Sequence, residues 1–195
     1  MSTNTLYLGI DPANSGAAVL LHNRTAVVSV VWSPCTRNKR KAFKLHLLEF
    51  TNDRVLEREV IVRHPAAIGR EVSLACRNYA SKLEESSVQF FITTEDAYVG
   101  RNAKTGLLVA RFGGQVSGVC EADLDSKSLW VLAASWRAKI LRLPAFTKRA
   151  KAKAVSMAVI PKWAKNVDAI IKKCGELDHI TDAVGVALWR ELNTK

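Results

Sequence analysis

Cysteine, long apolar runs and, over one stretch, acidic residues are scarce in this 195-residue sequence. The four cysteines, Cys35, Cys76, Cys120 and Cys174, are widely spaced and form no Cys-x-x-Cys pair, which argues against a disulfide framework or a thiolate zinc site. No apolar run approaches the roughly 20 residues of a membrane-spanning helix. Residues 1–5 contain neither the basic nor the apolar segment of a signal peptide. We therefore expect reduced thiols, a cytoplasmic location and no membrane partner.

The overall composition is that of an ordinary globular protein. Hydrophobic residues make up 48% of the chain, charged residues 24% and aromatic residues 7%, values that exclude collagen-like repeats and wholesale disorder. The length is about that of one domain, and the chain contains no internal repeat and no low-complexity linker. We therefore expect residues 1–195 to form a single domain.

Positive charge is concentrated in one part of the chain. Twenty-nine Lys and Arg residues against 18 Asp and Glu residues give a net charge of +11. Residues 126–167 contain ten of these cations and no acidic residue, so the rest of the chain carries 19 cations against 18 anions. A segregated excess of this kind is typical of a surface that faces a polyanion such as nucleic acid. The alternative, a generally basic soluble surface, fits the segregation less well.

The hydrophobic pattern predicts strands that alternate with helices. Short apolar and β-branched runs predict strands at residues 6–10, 17–21, 26–32, 88–94 and 129–134. The residue pattern predicts helices at residues 65–85, 105–119, 148–160 and 179–192: the second has a face of small residues, the third is basic and stopped by Pro161, and the last has an apolar stripe. Residues 45–63 are ambiguous between short strands and a helical turn. This order indicates an α/β fold with a mixed sheet of about five strands and helices on both faces.

Four acidic residues share one context, because each lies at the edge of a predicted buried element. Asp11 follows the first strand and Glu95 follows the strand at residues 88–94, whereas Asp178 and Asp182 lie four residues apart at the start of the last helix. Carboxylates that converge on one point repel unless a cation compensates them. Their hard oxygens suit Mg²⁺ or Mn²⁺, and two such ions about 4 Å apart can promote hydrolysis of a phosphodiester.

Each of these residues also has a purely structural interpretation. Asp11 could serve only in the turn before Pro12, and Glu95 could be a solvated carboxylate at a strand end. Asp178 could be only the N-cap of the last helix, a position that Asp favours. Asp182 is harder to explain in this way, because it lies beside the apolar stripe of that helix. Spacing alone does not decide between these interpretations and a metal site.

Three sequence motifs surround the acidic residues. The first is Gly9-Ile10-Asp11-Pro12 followed by Ser15-Gly16, the second runs through residues 95–105 into the small residues of 110–114, and the third is Asp178-His179-Ile180-Thr181-Asp182-Ala183. In this order and spacing, over residues 5–193, the motifs resemble those of the RuvC-like Holliday junction resolvases, members of the RNase H-like superfamily. The resemblance implies an RNase H-like fold for the mixed sheet.

The resemblance also implies an active site built from metal ligands. Asp11, Glu95 and Asp182 match ligand positions, and we expect Asp178, the harder oxygen ligand that Mg²⁺ favours, to be the fourth ligand, with His179 as the alternative. If Asp178 is the ligand, His179 could cap the site, handle protons beside it or simply pack. The implied cofactor is a pair of Mg²⁺ ions, with Mn²⁺ as a substitute. The implied reaction is in-line attack of an activated water on a phosphodiester.

The candidate DNA-binding residues lie in other segments of the chain. Tyr98 falls where the family carries an aromatic that stacks on junction bases, a contact worth about 1–3 kcal/mol per base, although Tyr98 could instead fill the base of a loop. Arg101 lies in the basic segment of the second motif. The other candidates are Lys148, Arg149, Lys151 and Lys153 on the basic helix, and Lys39, Arg40 and Lys41 in a loop without a counterpart in the family pattern.

The resemblance therefore implies a DNA-associated endonuclease that resolves Holliday junctions and related branched DNA. Symmetric nicking of a four-way junction requires a two-fold homodimer. The small-residue helix at residues 105–119 is a candidate interface, with packing on the sheet as the alternative. Two other functions stay open: another RNase H-like nuclease acting on flaps, general branched DNA or RNA–DNA hybrids, and a non-catalytic junction-binding protein. Residues 32–63 and 161–175 depart from the family pattern, the second as an apparent insertion.

Overall fold

Seven strands and six helices are present in the residues that the computed structural model describes, which are 3–35, 42–51, 54–83, 87–96, 103–175 and 177–194. The strands are β1 (Thr3–Asp11), β2 (Gly16–His22), β3 (Thr25–Pro34), β4 (Phe43–Phe50), β5 (Val55–Val62), β6 (Ser87–Asp96) and β7 (Ser128–Leu132). The helices are α1 (Pro65–Ala80), α2 (Ala103–Leu124), α3 (Ala133–Leu141), α4 (Arg149–Trp163), α5 (Val167–Cys174) and α6 (Leu177–Thr194).

The strands form one mixed sheet in the order β5-β4-β3-β2-β1-β6-β7. Strands β1 to β5 pair antiparallel with their neighbours in sequence, whereas β6 runs parallel to β1 and β7 runs parallel to β6. Parallel neighbours need crossover connections, which α1 and α2 supply. The expected mixed sheet is confirmed, but the expected count of about five strands is too low.

The additional strands, β4 and β5, occupy the region that the sequence left ambiguous. In β4 the buried residues Phe43, Leu45 and Leu47 alternate with more exposed ones, as in a strand with one face on the core. Nearly all of β5 is exposed. Charged pairs such as Lys44 with Glu59, whose Nζ and Oε1 atoms are 2.7 Å apart, link it to β4. Because β5 buries so little, its sequence lacks the apolar alternation that marks a strand.

Helices cover both faces of the sheet, as expected. On one face α3, α4, α5 and α6 pack over side chains such as Tyr7 and Val19. On the other face α1 and α2 pack over Leu6, Leu8 and Ile10. Successive residues of β1 therefore point into different halves of the core, which explains why its sequence is apolar at nearly every position.

Two expectations about the second half of the chain need correction. The run at residues 129–134 is a strand only to Leu132, and the helix α3 begins at Ala133. The basic helix α4 does not stop at Pro161 but continues to Trp163, because a proline in the last turn removes few helical hydrogen bonds. Residues 161–175, which resembled an insertion, contain the end of α4 and the short helix α5.

The sequence led us to expect reduced thiols and no membrane-spanning helix. All four cysteines, which lie in the described residues, are free thiols, with Cys76 and Cys120 buried. Among the described helices, none combines the length and the apolar character that crossing a bilayer would require.

Gly9 allows α6 to lie directly against β1. A Cβ atom at this position would be 2.0 Å from the carbonyl oxygen of Ala183 and 2.8 Å from the backbone nitrogen of Ala187. Both neighbours are backbone atoms of α6, so neither can move without shifting the helix. The absence of a side chain at Gly9 thus brings the beginning of α6 over the carboxyl end of β1, two residues before Asp11.

Candidate active site

Two acidic residues lie at the carboxyl ends of neighbouring parallel strands. Asp11 is the last residue of β1 and Glu95 the penultimate residue of β6. Ile10 pairs with Thr94 across these strands, so the next residue on each strand is a carboxylate. Asp11 is only 8% exposed. The strand register therefore explains why the two acidic residues that were far apart in the sequence meet at one edge of the sheet.

The first turns of α6 add two more polar side chains at this edge. His179 contacts Asp11, with 2.6 Å between Nδ1 and Oδ2. Asp182, one turn further along α6, is buried near Asp11 and Glu95, and burial together with the charge of Asp11 raises its pKa to about 6. Asp11, Glu95 and Asp182, from distant parts of the chain, thus lie close together at this edge of the sheet.

Glu95 has the most strongly perturbed carboxyl group of the cluster. Burial and the nearby charges of Asp11 and Asp182 raise the pKa of Glu95 to about 8. Its Oε2 accepts a hydrogen bond from the indole Nε1 of Trp136 at 3.2 Å. A buried carboxyl whose pKa is raised by other carboxylates is a frequent feature of functional sites.

Arg137 of α3 lies between two of these carboxylates. Its Nη2 donates to Oδ2 of Asp182 at 2.9 Å and lies 3.8 Å from Oε1 of Glu95. The guanidinium charge lowers the pKa values of Asp182 and Glu95, but burial and mutual repulsion outweigh it. One cation therefore compensates the cluster only in part.

The two candidates for the fourth ligand have different surroundings. His179 contacts Asp11 inside the cluster, and its charge also acts on Asp182. Asp178 forms an ion pair with Lys153 of α4, and both of these side chains are 31% exposed. The geometry therefore associates His179 with the buried carboxylates and Asp178 with the basic helix.

The sequence did not single out Arg137, and it placed no helix where α3 lies. The signal available was weak: Arg137 is one of ten cations in the segment without acidic residues. Its neighbour Trp136 is fully buried, and a Cβ atom at Gly185 of α6 would lie 2.4 Å from the Trp136 ring. Close packing between α3 and α6 thus fixes the backbone from which Arg137 reaches the carboxylates.

The residues expected to bind DNA are only partly described. Lys148 and Lys151 are exposed at the start of α4, whereas Lys153 is engaged by Asp178. Five of the other candidates lie outside the described residues: Tyr98, Arg101, Lys39, Arg40 and Lys41. For the sixth, Arg149, the structure describes the backbone but not the side chain.

The side chains at this edge of the sheet can be compared with the ligands that a metal ion requires. As the side chains stand, no three His, Cys, Asp or Glu residues of the described ranges form a group that could hold a metal, and Arg137 and His179 contact the carboxylate oxygens. Chemically, three largely buried carboxylates, Asp11, Glu95 and Asp182, with one imidazole beside them form a hard and undercompensated donor set. Such a set suits Mg²⁺ or Mn²⁺ rather than a soft metal.

Comparisons with known proteins give structural neighbours only. No protein-family model matches the sequence, and no curated protein matches it. A structure of RuvC from Thermus thermophilus aligns with a TM-score of 0.44 and 11% identity, covering 97% of this chain and 95% of that one. A second, of T. thermophilus RuvC in complex with Holliday junction substrate, has a TM-score of 0.45 and 10% identity, covering 97% and 94%. The mixed sheet and two-sided helix cover described above agree with the RNase H-like fold that the motifs implied.

Proposed function

We propose that this protein is a metal-dependent endonuclease that resolves Holliday junctions and related branched DNA. The observation that carries the proposal is the convergence of Asp11, Glu95 and Asp182 at one edge of the sheet. These residues come from the three motifs that resemble the RuvC-like resolvases, and the structure of each surrounding element explains their meeting. The segment without acidic residues, at positions 126–167, supplies Arg137, which contacts Glu95 and Asp182, and Lys153, which contacts Asp178.

In this proposal the buried carboxylates hold the metal. Asp11, Glu95 and Asp182 are the ligands we assign, and His179, which already contacts Asp11, is better placed for the fourth position than Asp178. Bound Mg²⁺ ions would activate the attacking water and stabilise the leaving oxygen of the phosphodiester. No protein nucleophile is needed for such a hydrolysis.

The protein's own groups position the reacting parts. The indole of Trp136 holds one oxygen of Glu95, which leaves the other, Oε1, on the side of Arg137. With the carboxylates held by a metal ion, the guanidinium of Arg137 would be available to a phosphate oxygen, which its planar donors match. Arg137 would then neutralise charge on the scissile phosphate without leaving the site.

The start of α4 provides the contact with the DNA backbone. Lys148 and Lys151 are exposed there, and Lys153 lies beside Asp178 at the edge of the cluster. Phosphate contacts of this kind position the substrate without reading its sequence. The proposal therefore assigns substrate choice to the shape of the DNA.

A homodimer is part of the proposal, because each subunit would supply one nick. On α2, a Cβ atom at Gly113 would lie 2.9 Å from Pro12, so this glycine packs inward. Gly114 and Gly118 have no neighbouring atom within 4 Å of such a Cβ, and Leu107 of the same helix is exposed. The small-residue helix thus serves the core on one side and leaves its other side available for a second copy.

A non-catalytic junction-binding protein is the second candidate. The observation that favours it is that Arg137 and His179 contact the carboxylates which a metal would need. In such a protein these ion pairs would be permanent and structural. Titration with Mg²⁺ distinguishes the two functions, since only the nuclease should bind the ion at this cluster.

The proposed function is tested by competition among substrates. The protein is incubated with Mg²⁺ and a four-way DNA junction, a linear duplex of the same sequence, and an RNA–DNA hybrid, with EDTA in a parallel series. We expect paired nicks in the junction only, and none in EDTA. Equal cleavage of the linear duplex would replace the resolvase by a general nuclease, and preference for the hybrid would replace it by a ribonuclease.

A further inference from the structure

Phe146 is almost completely exposed to solvent. Its relative exposure is 99%, the highest among the large hydrophobic side chains that the structure describes as exposed. The residue lies in the connection between α3, which carries Arg137, and α4, which carries Lys153. A phenyl ring left in water forgoes the free energy that burial would give, so the ring of Phe146 is available to a binding partner.

The connection that carries Phe146 is an ordered turn. The backbone N–H of Thr147 donates to the carbonyl of Pro144 at 3.0 Å, and the Thr147 hydroxyl donates to the same carbonyl at 2.7 Å. Before the turn, Leu143 packs against the core cluster beneath α3, α4 and α6. Since the turn is fixed at both sides, it holds the phenyl ring outward instead of letting it fold back onto the protein.

The surroundings of Phe146 are cationic. Arg142 and Lys148 flank the turn and are exposed, and the chain has no acidic residue anywhere between positions 126 and 167. Positive charge on both sides of Phe146 favours the binding of phosphate groups over the binding of an ordinary protein surface. Aromatic side chains set in a positively charged groove are the usual platform for unpaired bases, because every base has a stacking face.

The turn is also close to the candidate active site. From Phe146 the chain enters α4 at Arg149 and reaches Lys153 after one helical turn, which limits the distance between the two Cα atoms to about 17 Å. Lys153 in turn contacts Asp178. With about 3.4 Å per nucleotide along one strand, a base on Phe146 would lie within about five nucleotides of a phosphate bound at Lys153.

We propose that Phe146 is a stacking platform for an unstacked base at the branch point of the DNA. This assignment rests on the proposed function and extends it, because it names the part of the substrate that the turn recognises. It is separate from the position of Tyr98, which belongs to another segment. A fully paired duplex offers no free base face, so the contact would favour branched over linear DNA.

The test uses the whole protein with a four-way DNA junction that carries 2-aminopurine at the branch point, in EDTA so that no cleavage occurs. Phe146→Ala should weaken junction binding about tenfold and leave linear-duplex binding unchanged. It should also reduce the quenching of 2-aminopurine that stacking produces. The salt dependence of binding should not change, since no charge is removed. Phe146→Trp should bind like the wild type, and Phe146→Leu, apolar but without a ring, should bind like Phe146→Ala.

Two matched measurements make the result decisive. Ile61→Ala removes another exposed apolar side chain, on β5, and should leave binding and quenching unchanged. Junction binding by Phe146→Ala at wild-type strength, full rescue by Phe146→Leu, or a changed sedimentation coefficient for Phe146→Ala would each overturn the stacking assignment alone. If the wild-type protein itself binds junction and duplex equally, this result contradicts the proposed function as well.

Discussion

Asp11 and His179 are in direct contact, with 2.6 Å between Oδ2 and Nδ1, although 168 residues separate them in the sequence. The contact joins the end of β1 to the first turn of α6. It depends on how closely the helix approaches the strand, and that approach is permitted by Gly9. The arrangement of the candidate active site is therefore sensitive to a single methyl group two residues away.

Replacing Gly9 by alanine tests this dependence. Because the new Cβ would collide with backbone atoms of Ala183 and Ala187, we expect Gly9→Ala to lower the free energy of unfolding by about 3 kcal/mol. Gly114→Ala is the matched control, since its Cβ would meet no atom within 4 Å. In the helix interior it should raise stability by about 0.5–1 kcal/mol. Urea unfolding of both variants measures the difference, and equal stabilities would refute the packing argument.

The stability of the metal-free protein should depend on pH through Glu95. Its pKa is raised from 4.5 to about 8 by burial and by Asp11 and Asp182, so the folded state keeps a proton that the unfolded chain has released. The stability linked to Glu95 is complete below pH 4.5 and is lost as the pH rises through about 8. Asp182, with a pKa raised from 3.8 to about 6, acts with the same sign at lower pH.

Glu95→Gln removes this dependence and keeps the shape of the side chain. In EDTA the melting temperature of the wild type should fall more steeply between pH 5.5 and 9 than that of the variant. At pH 9 the variant should be more stable by at least about 1 kcal/mol, or roughly 2–4 °C. Glu59→Gln, at an exposed position, is the control and should follow the wild type. Parallel curves for wild type and Glu95→Gln would show that Glu95 is not titrating in this range.

Arg137 and a metal ion should compete for the same carboxylates. Arg137→Ala leaves Asp182 and Glu95 without their cation, so the metal-free protein should lose about 3 kcal/mol of stability. Mg²⁺ should then bind more tightly than to the wild type and restore more stability, as calorimetry and melting in Mg²⁺ would measure. Arg137→Lys, which keeps the charge, should stay close to the wild type in both respects. Unchanged or weaker Mg²⁺ binding by Arg137→Ala would mean that the ion does not enter this cluster.

The basic start of α4 should set the salt dependence of DNA binding. Neutralising Lys148, Arg149, Lys151 and Lys153 should lower the slope of log K against log salt by about 3–4, with about one unit for each phosphate that the variant no longer neutralises. Lys44 and Lys82, which pair with glutamates elsewhere on the surface, provide a control pair whose neutralisation should leave the slope unchanged. An unchanged slope for the α4 variant would remove this helix from the DNA interface.

The sequence predicted the strands that carry a continuous apolar or β-branched run, and it left β4 undecided. It predicted β1, β2, β3 and β6, and it placed candidate carboxylates at the ends of β1 and β6. It could not predict β5, because that strand is exposed along nearly all its length. It also extended the strand at 129–134 into α3, since the apolar residues continue across Leu132 into the helix.

The role of Arg137 in the candidate site could not be predicted from the sequence. Its ion pair with Asp182 spans 45 residues and depends on the packing of Trp136 against Gly185, which no local pattern reveals. The choice between Asp178 and His179 is of the same kind. Both lie in one turn of α6, and only the positions of β1 and α4 decide which of them meets Asp11 and which meets Lys153.

The measurement that tests the central claim most directly is junction nicking and junction binding by Asp11→Asn. We predict that nicking in Mg²⁺ falls by more than about a hundredfold. Mutating residues that only hydrogen-bond to metal ligands already costs about 10–100-fold, and Asp11 is itself a proposed ligand. Binding of the uncut junction should be as tight as in the wild type or tighter, since a repulsive charge has been removed. Asp168→Asn, at an exposed position on α5, should retain both properties. Nicking that survives in Asp11→Asn, or binding lost together with nicking, would contradict the account.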